Sequence, residues 1–206
     1  MKLVLASNNK HKIDEIKSIL EKSNVTADVL SLNDIGYTNE IIEDGTTFEE
    51  NALIKARTVA ALGYIGIADD SGLCVDALNG APGIYSARYA GEPCDHQKNN
   101  EKILKALEGK HGCERSAAFV STIACALPNG SYFTVRGECH GEMLESLKGN
   151  GGFGYDPLFR PLGYELTFAE LSFDEKNKIS HRAKALEAFA KRFPAFLKEH
   201  TGKETV

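Results

Sequence analysis

The sequence predicts an α/β fold, a three-layer mixed sheet flanked by helices, in two lobes with a central cleft. Three observations lead there. Through the first 70 residues, short apolar runs suited to buried strands alternate with stretches of helical periodicity. Residues 115 to 144 carry short apolar runs broken by the turn Pro128-Asn129-Gly130, a hairpin or meander that makes the sheet mixed rather than purely parallel. Near the end, Ile179, Ala183, Leu186, Ala190, Phe193 and Leu197 alternate steps of four and three, which describes one helix with a buried stripe.

Each element follows in order. KLVLA, residues 2 to 6, is a strand, the turn Ser7-Asn8-Asn9-Lys10 follows, and Ile13, Ile16, Ile19 and Leu20 mark a helix. Thr46 and Thr47, three residues ahead of Glu49 and Glu50, form a capping-box signature for a second helix with Phe48, Ala52, Ala56, Val59 and Ala60 along one face. It ends at Gly63, and YIGIA reads as a central strand that delivers Asp69 and Asp70 at its C-terminal edge, where open α/β sheets bind ligands. Residues 97 to 108 are helical, with Ile103, Leu104 and Leu107 apolar, and Pro194 is expected to kink the last helix.

A chain of 206 residues suits a single two-lobed domain over 1–206. Its net charge of −5 offers no whole-molecule attraction for polyanions, which argues against nucleic-acid and membrane-surface partners. Five scattered cysteines without C-x-x-C spacing exclude a disulfide framework or a thiolate zinc site and read as reduced thiols. The apolar run at the N-terminus is too short for a signal peptide and no stretch approaches a membrane span, so a cytoplasmic location is expected.

Four stretches can carry chemistry. SNNKHK, from Ser7 through Asn8, Asn9, Lys10 and His11 to Lys12, joins a strand end to a helix start with side-chain donors and positive charge, which suits phosphate and equally serves as a polar helix cap. Asp69 and Asp70, neighbours on an extended chain, point to opposite faces, so one faces the cleft while the other caps a turn or holds a lysine. Glu43 and Asp44 form a second acidic pair before a helix. In GNGGFGYDPLF, glycines allow close backbone approach, and Phe153 or Tyr155 offers a face to a planar base. EKNKISHRAKAL gathers Lys176, Lys178, His181 and Arg182 at the start of the last helix, as a ligand site or a solvated basic face.

The order of these signals is specific. S-x-N-x-x-K from residue 7, F-x-x-N-A-x-x-K-A at 48–56, A-D-D-S-G-L at 68–73, G-A-P-G-I-Y-S-A-R-Y at 80–89, G-G-F-G-Y-D-P at 151–157 and S-H-R at 180–182 together closely resemble the inosine triphosphate pyrophosphatase family, over nearly the whole chain. The resemblance implies a dimeric, Mg²⁺-dependent enzyme that binds a nucleotide in its cleft and cuts ITP, dITP and XTP to the monophosphate and pyrophosphate. It also implies that Ser7, Asn9 and Lys12 meet the triphosphate, with Asn8 standing where many relatives have glycine. Asp70 then serves the metal and acts as general base, with Glu43 chosen over Glu40 and Asp44 as the second metal carboxylate. Ser71 and Lys55 follow as substrate contacts, Phe153, Gly154, Tyr155 and Asp156 line the nucleoside pocket, and Lys176, His181 and Arg182 reach the base.

Overall fold

The computed structural model describes residues 2–8, 10–22 and 27–202, with all of their side chains except those of Lys10, His11, Glu15, Ser18, Ile19 and Lys22. The elements run β1 (Lys2–Leu5), α1 (Lys10–Lys22), β2 (Asp28–Leu30), α2 (Phe48–Ala61), β3 (Ile65–Val75), α3 (His96–Ala106), β4 (Ser116–Ala126), β5 (Tyr132–Met143), β6 (Phe159–Pro161), α4 (Phe173–Ile179) and α5 (His181–Thr201). The six strands form one sheet in the order β2-β1-β3-β4-β5-β6. β1 pairs in parallel with β2 and β3, and β5 with β6 antiparallel, so the sheet is mixed as the sequence predicts.

By packing, the chain forms two compact units. One takes the segments up to Asp70, from Thr122 to Arg136 and from Ala185 onward; the other takes Ser71–Ser121 and Gly137–Lys184. In the first unit, strand alternation sorts the core into two layers. Leu3, Leu5, Ile67, Ile123 and Cys125 pack with Ile16 and Leu20 of α1 and with Leu186, Phe189, Phe193 and Phe196 of α5. Val4, Ala68, Ala124 and Ala126 face the other way, against Ala52, Ala56 and Val59 of α2. This unit is helix, sheet, helix, the three layers predicted.

The second unit closes around Leu73, Val75, Ile103, Leu107, Met143 and an aromatic cluster. Phe119 meets Phe159 edge-on at 4.8 Å and stacks on Phe168 at 5.7 Å. Arg115, only 6% exposed, is held by four backbone carbonyls, those of Met143, Leu107, Lys110 and Leu144, at 2.6 to 3.2 Å.

Two expectations are corrected. The acids do not end their strand: β3 runs through Asp69 and Asp70 to Val75, because hydrophobic side chains on both sides of the polar stretch, Ile67 and Leu73, are buried in the two units' cores. The last helical stripe is two helices. Ser180 is extended, with ψ 153°, and its hydroxyl accepts from Ala183 N at 3.2 Å, so it ends α4 and caps α5. Ile179 therefore belongs to α4, while Pro194 lies inside α5, which runs on to Thr201.

Candidate active site

In the first unit the site is built on the N-terminal half of α2. Thr47 caps this helix by accepting from Glu50 N at 3.1 Å, and Glu50 accepts from the Thr46 N–H and hydroxyl at 2.6 and 2.7 Å. The reciprocal bond read from Thr46-Thr47 therefore falls one residue before the cap. With its entry pinned, α2 presents Asn51 and Lys55, four residues apart, on one face. Lys55 Nζ donates to Glu43 Oε2 at 2.7 Å and lies 3.4 Å from Asp70 Oδ1. Asn51 Nδ2 donates to Asp70 Oδ2 at 3.3 Å.

The opposite-face reading of the adjacent acids holds. Asp69, 6% exposed, pairs with Lys12, whose Nζ is 2.8 Å from its Oδ1, while Asp70 turns to α2. Burial pushes the Asp70 carboxyl up, the Lys55 charge opposes this and Glu43 adds to it, and the net direction is up. Burial alone would lower the Lys55 ammonium, but Asp70 and Glu43 outweigh it and hold it above its ordinary value. One ammonium shared by two carboxylates leaves net negative charge in a largely buried place.

That charge state bears on metal binding. Among the described residues, no three His, Cys, Asp or Glu side chains gather where they could hold an ion. Asp70 and Glu43 face a common cation, and two carboxylates fit Mg²⁺, which takes one or two and fills its other positions with phosphate oxygens and water. Of the three acids weighed before Gly45, Glu43 is the one paired with Lys55.

The turn from Ser7 to Lys12 is described in part. Ser7 follows β1, half-buried, and Lys12 lies in the first turn of α1. Asn8 uses its side-chain oxygen to accept from Asn33 N at 2.9 Å, fixing a neighbouring turn. Asn9, and the side chains of Lys10 and His11, lie outside the described residues. Ser71 is half-buried at the position after Asp70 in β3.

The second unit carries the other cluster. Phe153 is 60% exposed and presents its ring. Tyr155 does not: it is 3% exposed, its hydroxyl donates to Ser86 O at 2.8 Å, and burial, with Tyr89 and Cys94 adding to it, raises its pKa. It anchors the loop where a stacking face was equally expected. Asp156 is buried too, accepting from Phe153 N at 2.8 Å and from Lys176 Nζ at 2.5 Å. Gly152 permits this approach, since a Cβ there would lie 2.1 Å from Asp156 Oδ2.

Lys176 Nζ thereby sits 4.9 Å from the centre of the Phe153 ring. Asn100, which the sequence reading passed over, donates to Gly154 O at 3.0 Å and ties down the loop. His181 lies flat on Phe119 at 4.9 Å and 13°, which covers one face of its ring, and Arg182 follows it, half-buried.

Fold and side chains together define a mixed α/β protein with an acid–lysine site on one unit and an aromatic–cation site on the other. The motif resemblance is borne out by comparison: the model of the Ham1 family matches residues 3–192, and the chain belongs to that family. It is 50% identical over 201 residues to a protein of Leuconostoc mesenteroides named dITP/XTP pyrophosphatase, across 96% of this chain and 99% of the relative. A protein of the same name from Desulforamulus reducens is 52% identical, across 90% of this chain and 92% of the relative. Among solved structures, the Ham1 protein of Staphylococcus aureus superposes with a TM-score of 0.88 at 39% identity, across 95% of this chain and 99% of that one.

Proposed function

We propose that the chain hydrolyses dITP, XTP and ITP to the nucleoside monophosphate and pyrophosphate, removing these nucleotides from the cellular pool. What carries the reading is near-full-length identity of about half to relatives named dITP/XTP pyrophosphatase, on a chain that sets Asp70 and Lys55 together.

In the reaction a water oxygen bonds to the α-phosphorus, the bond from that phosphorus to the bridging oxygen breaks, and pyrophosphate leaves. The water's proton passes to base or solvent. Asp70 and Glu43 would hold Mg²⁺, which when bound neutralises phosphate charge and makes water more acidic. Asp70 accepts a hydrogen bond from the attacking water and aligns it behind the phosphorus. Ser7, Asn9, Lys12 and Lys55 meet the triphosphate. The Phe153 ring stacks on the base, and Lys176, His181 and Arg182 offer donors to an O6 acceptor. Adenine places an amino donor there, leaving buried donors facing a donor, which disfavours ATP.

No helix among the described residues is long and apolar enough to cross a membrane. We read the protein as a homodimer on the strength of the family resemblance, which sedimentation of the purified chain tests, and as cytoplasmic from its scattered, unbridged cysteines, which cell fractionation tests. The activity itself is tested by pyrophosphate release from ITP, XTP, dITP, GTP and ATP, each with Mg²⁺ and with EDTA. Metal-dependent release from the first three, far above GTP and ATP, is expected. Binding of ITP without release would make the chain a nucleotide-binding regulator.

A further inference from the structure

The motif F-x-x-N-A-x-x-K-A contributes Lys55 to the site, yet its asparagine is equally engaged. Asn51 is 3% exposed. Its Oδ1 accepts from Gly45 N at 2.9 Å and its Nδ2 donates to Asp70 Oδ2 at 3.3 Å. A backbone N–H can only donate, so the bond to Gly45 fixes which end of the amide faces Asp70. The loop is drawn in so closely that a Cβ on Gly45 would lie 2.7 Å from Asn51 Oδ1, which reserves the position for glycine.

Asn51 and Lys55 thus work as a pair. Each holds one oxygen of Asp70, and each also holds the segment before α2, Lys55 by the Glu43 side chain and Asn51 by the Gly45 backbone. Lys55 is a flexible cation that a triphosphate can draw away. Asn51 is neutral, buried and short, and both ends of its amide are engaged.

We propose that Asn51 is a positioning residue that fixes the Asp70 carboxylate and the Glu43–Gly45 loop relative to each other. This rests on the reading of Asp70 as the catalytic carboxylate. The test compares Asn51→Ala, which loses both bonds, with Asn51→Asp, which keeps an acceptor for Gly45 N and replaces the amide donor to Asp70 by a second carboxylate. In both variants kcat for ITP falls roughly 10- to 100-fold, the scale of a misplaced catalytic group, while KM stays within about threefold. Hydrogen exchange of the peptide containing Gly45, in the ligand-free protein, speeds up in Asn51→Ala and stays at the wild-type rate in Asn51→Asp.

Unchanged kcat in both variants would overturn the proposal. So would a loss in kcat that matches the unfolded fraction in a thermal melt, since Asn51 would then serve stability alone. If the wild type binds ITP but releases no pyrophosphate, the catalytic reading of Asp70 has failed. The exchange of the Gly45 peptide then decides by itself whether Asn51 holds the loop.

Discussion

Lys12 and Asp69 are 57 positions apart in sequence and joined by an ion pair of 2.8 Å, with Asp69 buried and Lys12 a quarter exposed. The acid aims the lysine, so on the proposed reading a phosphate would meet an ammonium already in place. Asp69→Asn weakens that hold. A partly buried pair worth about 1 kcal/mol corresponds to roughly a fivefold rise in KM for ITP, with a smaller change in kcat, measured by steady-state kinetics.

Its neighbour behaves differently. Asp70→Asn removes the carboxylate proposed to align water, so kcat is expected to fall at least about 100-fold. ITP is expected still to bind, which an equilibrium titration checks. Near-normal turnover in this variant would rule Asp70 out.

On the second unit, stacking and base choice separate. Phe153→Ala weakens binding of ITP and ATP alike by about 1 to 3 kcal/mol, because every base offers a π-face. Lys176→Met and Arg182→Ala instead lower the ratio of kcat/KM for ITP over ATP. An unchanged ratio in both would remove these cations from base recognition.

Arg115 is a structural counterpart. Arg115→Ala takes the guanidinium donors from four buried or half-buried carbonyls, of which Leu107 O keeps the Lys110 N–H, and urea denaturation should show a loss of about 3 kcal/mol or more. Turnover per folded molecule stays at the wild-type level.

The thiols divide by burial. Cys94 and Cys113 are exposed and Cys74 half-buried, whereas burial raises the pKa of Cys125 and Cys139. A raised pKa reduces the thiolate that reacts at any given pH. At pH 8 a thiol reagent therefore labels Cys94 and Cys113 first, and Cys125 and Cys139 only after denaturant.

Much of this arrangement is legible in the sequence, where a local period reports burial. Val4 between Leu3 and Leu5 shows a strand buried on both faces, and the structure seats those side chains in separate layers. The run of β3 beyond Asp70 was not legible, because Asp-Asp-Ser-Gly is a good turn sequence and only pairing within the sheet keeps it extended. Ser180 hides the break between α4 and α5, since its apolar neighbours keep the helical period across it. For the site, strand geometry alone sets the two acids on opposite faces, but that Asp69 is the one holding a lysine depends on Lys12, 57 positions away. Asn51 was missed: its spacing to Lys55 was in view, but nothing local says that both side chains converge on Asp70.

The core that joins Leu3 and Leu5 to Phe189, Phe193 and Phe196 also sets the timing of folding during synthesis. β1 leaves the ribosome well before α5, and its main aromatic cover follows roughly 190 residues later, a wait of about 10 to 40 seconds at ordinary elongation rates. Until α5 emerges, β1 and β3, the strand that carries both Asp69 and Asp70, keep an apolar face partly open to solvent or to chaperones. A ribosome stalled before α5 would therefore release an aggregation-prone fragment, whereas α5 closes that face once it has been made.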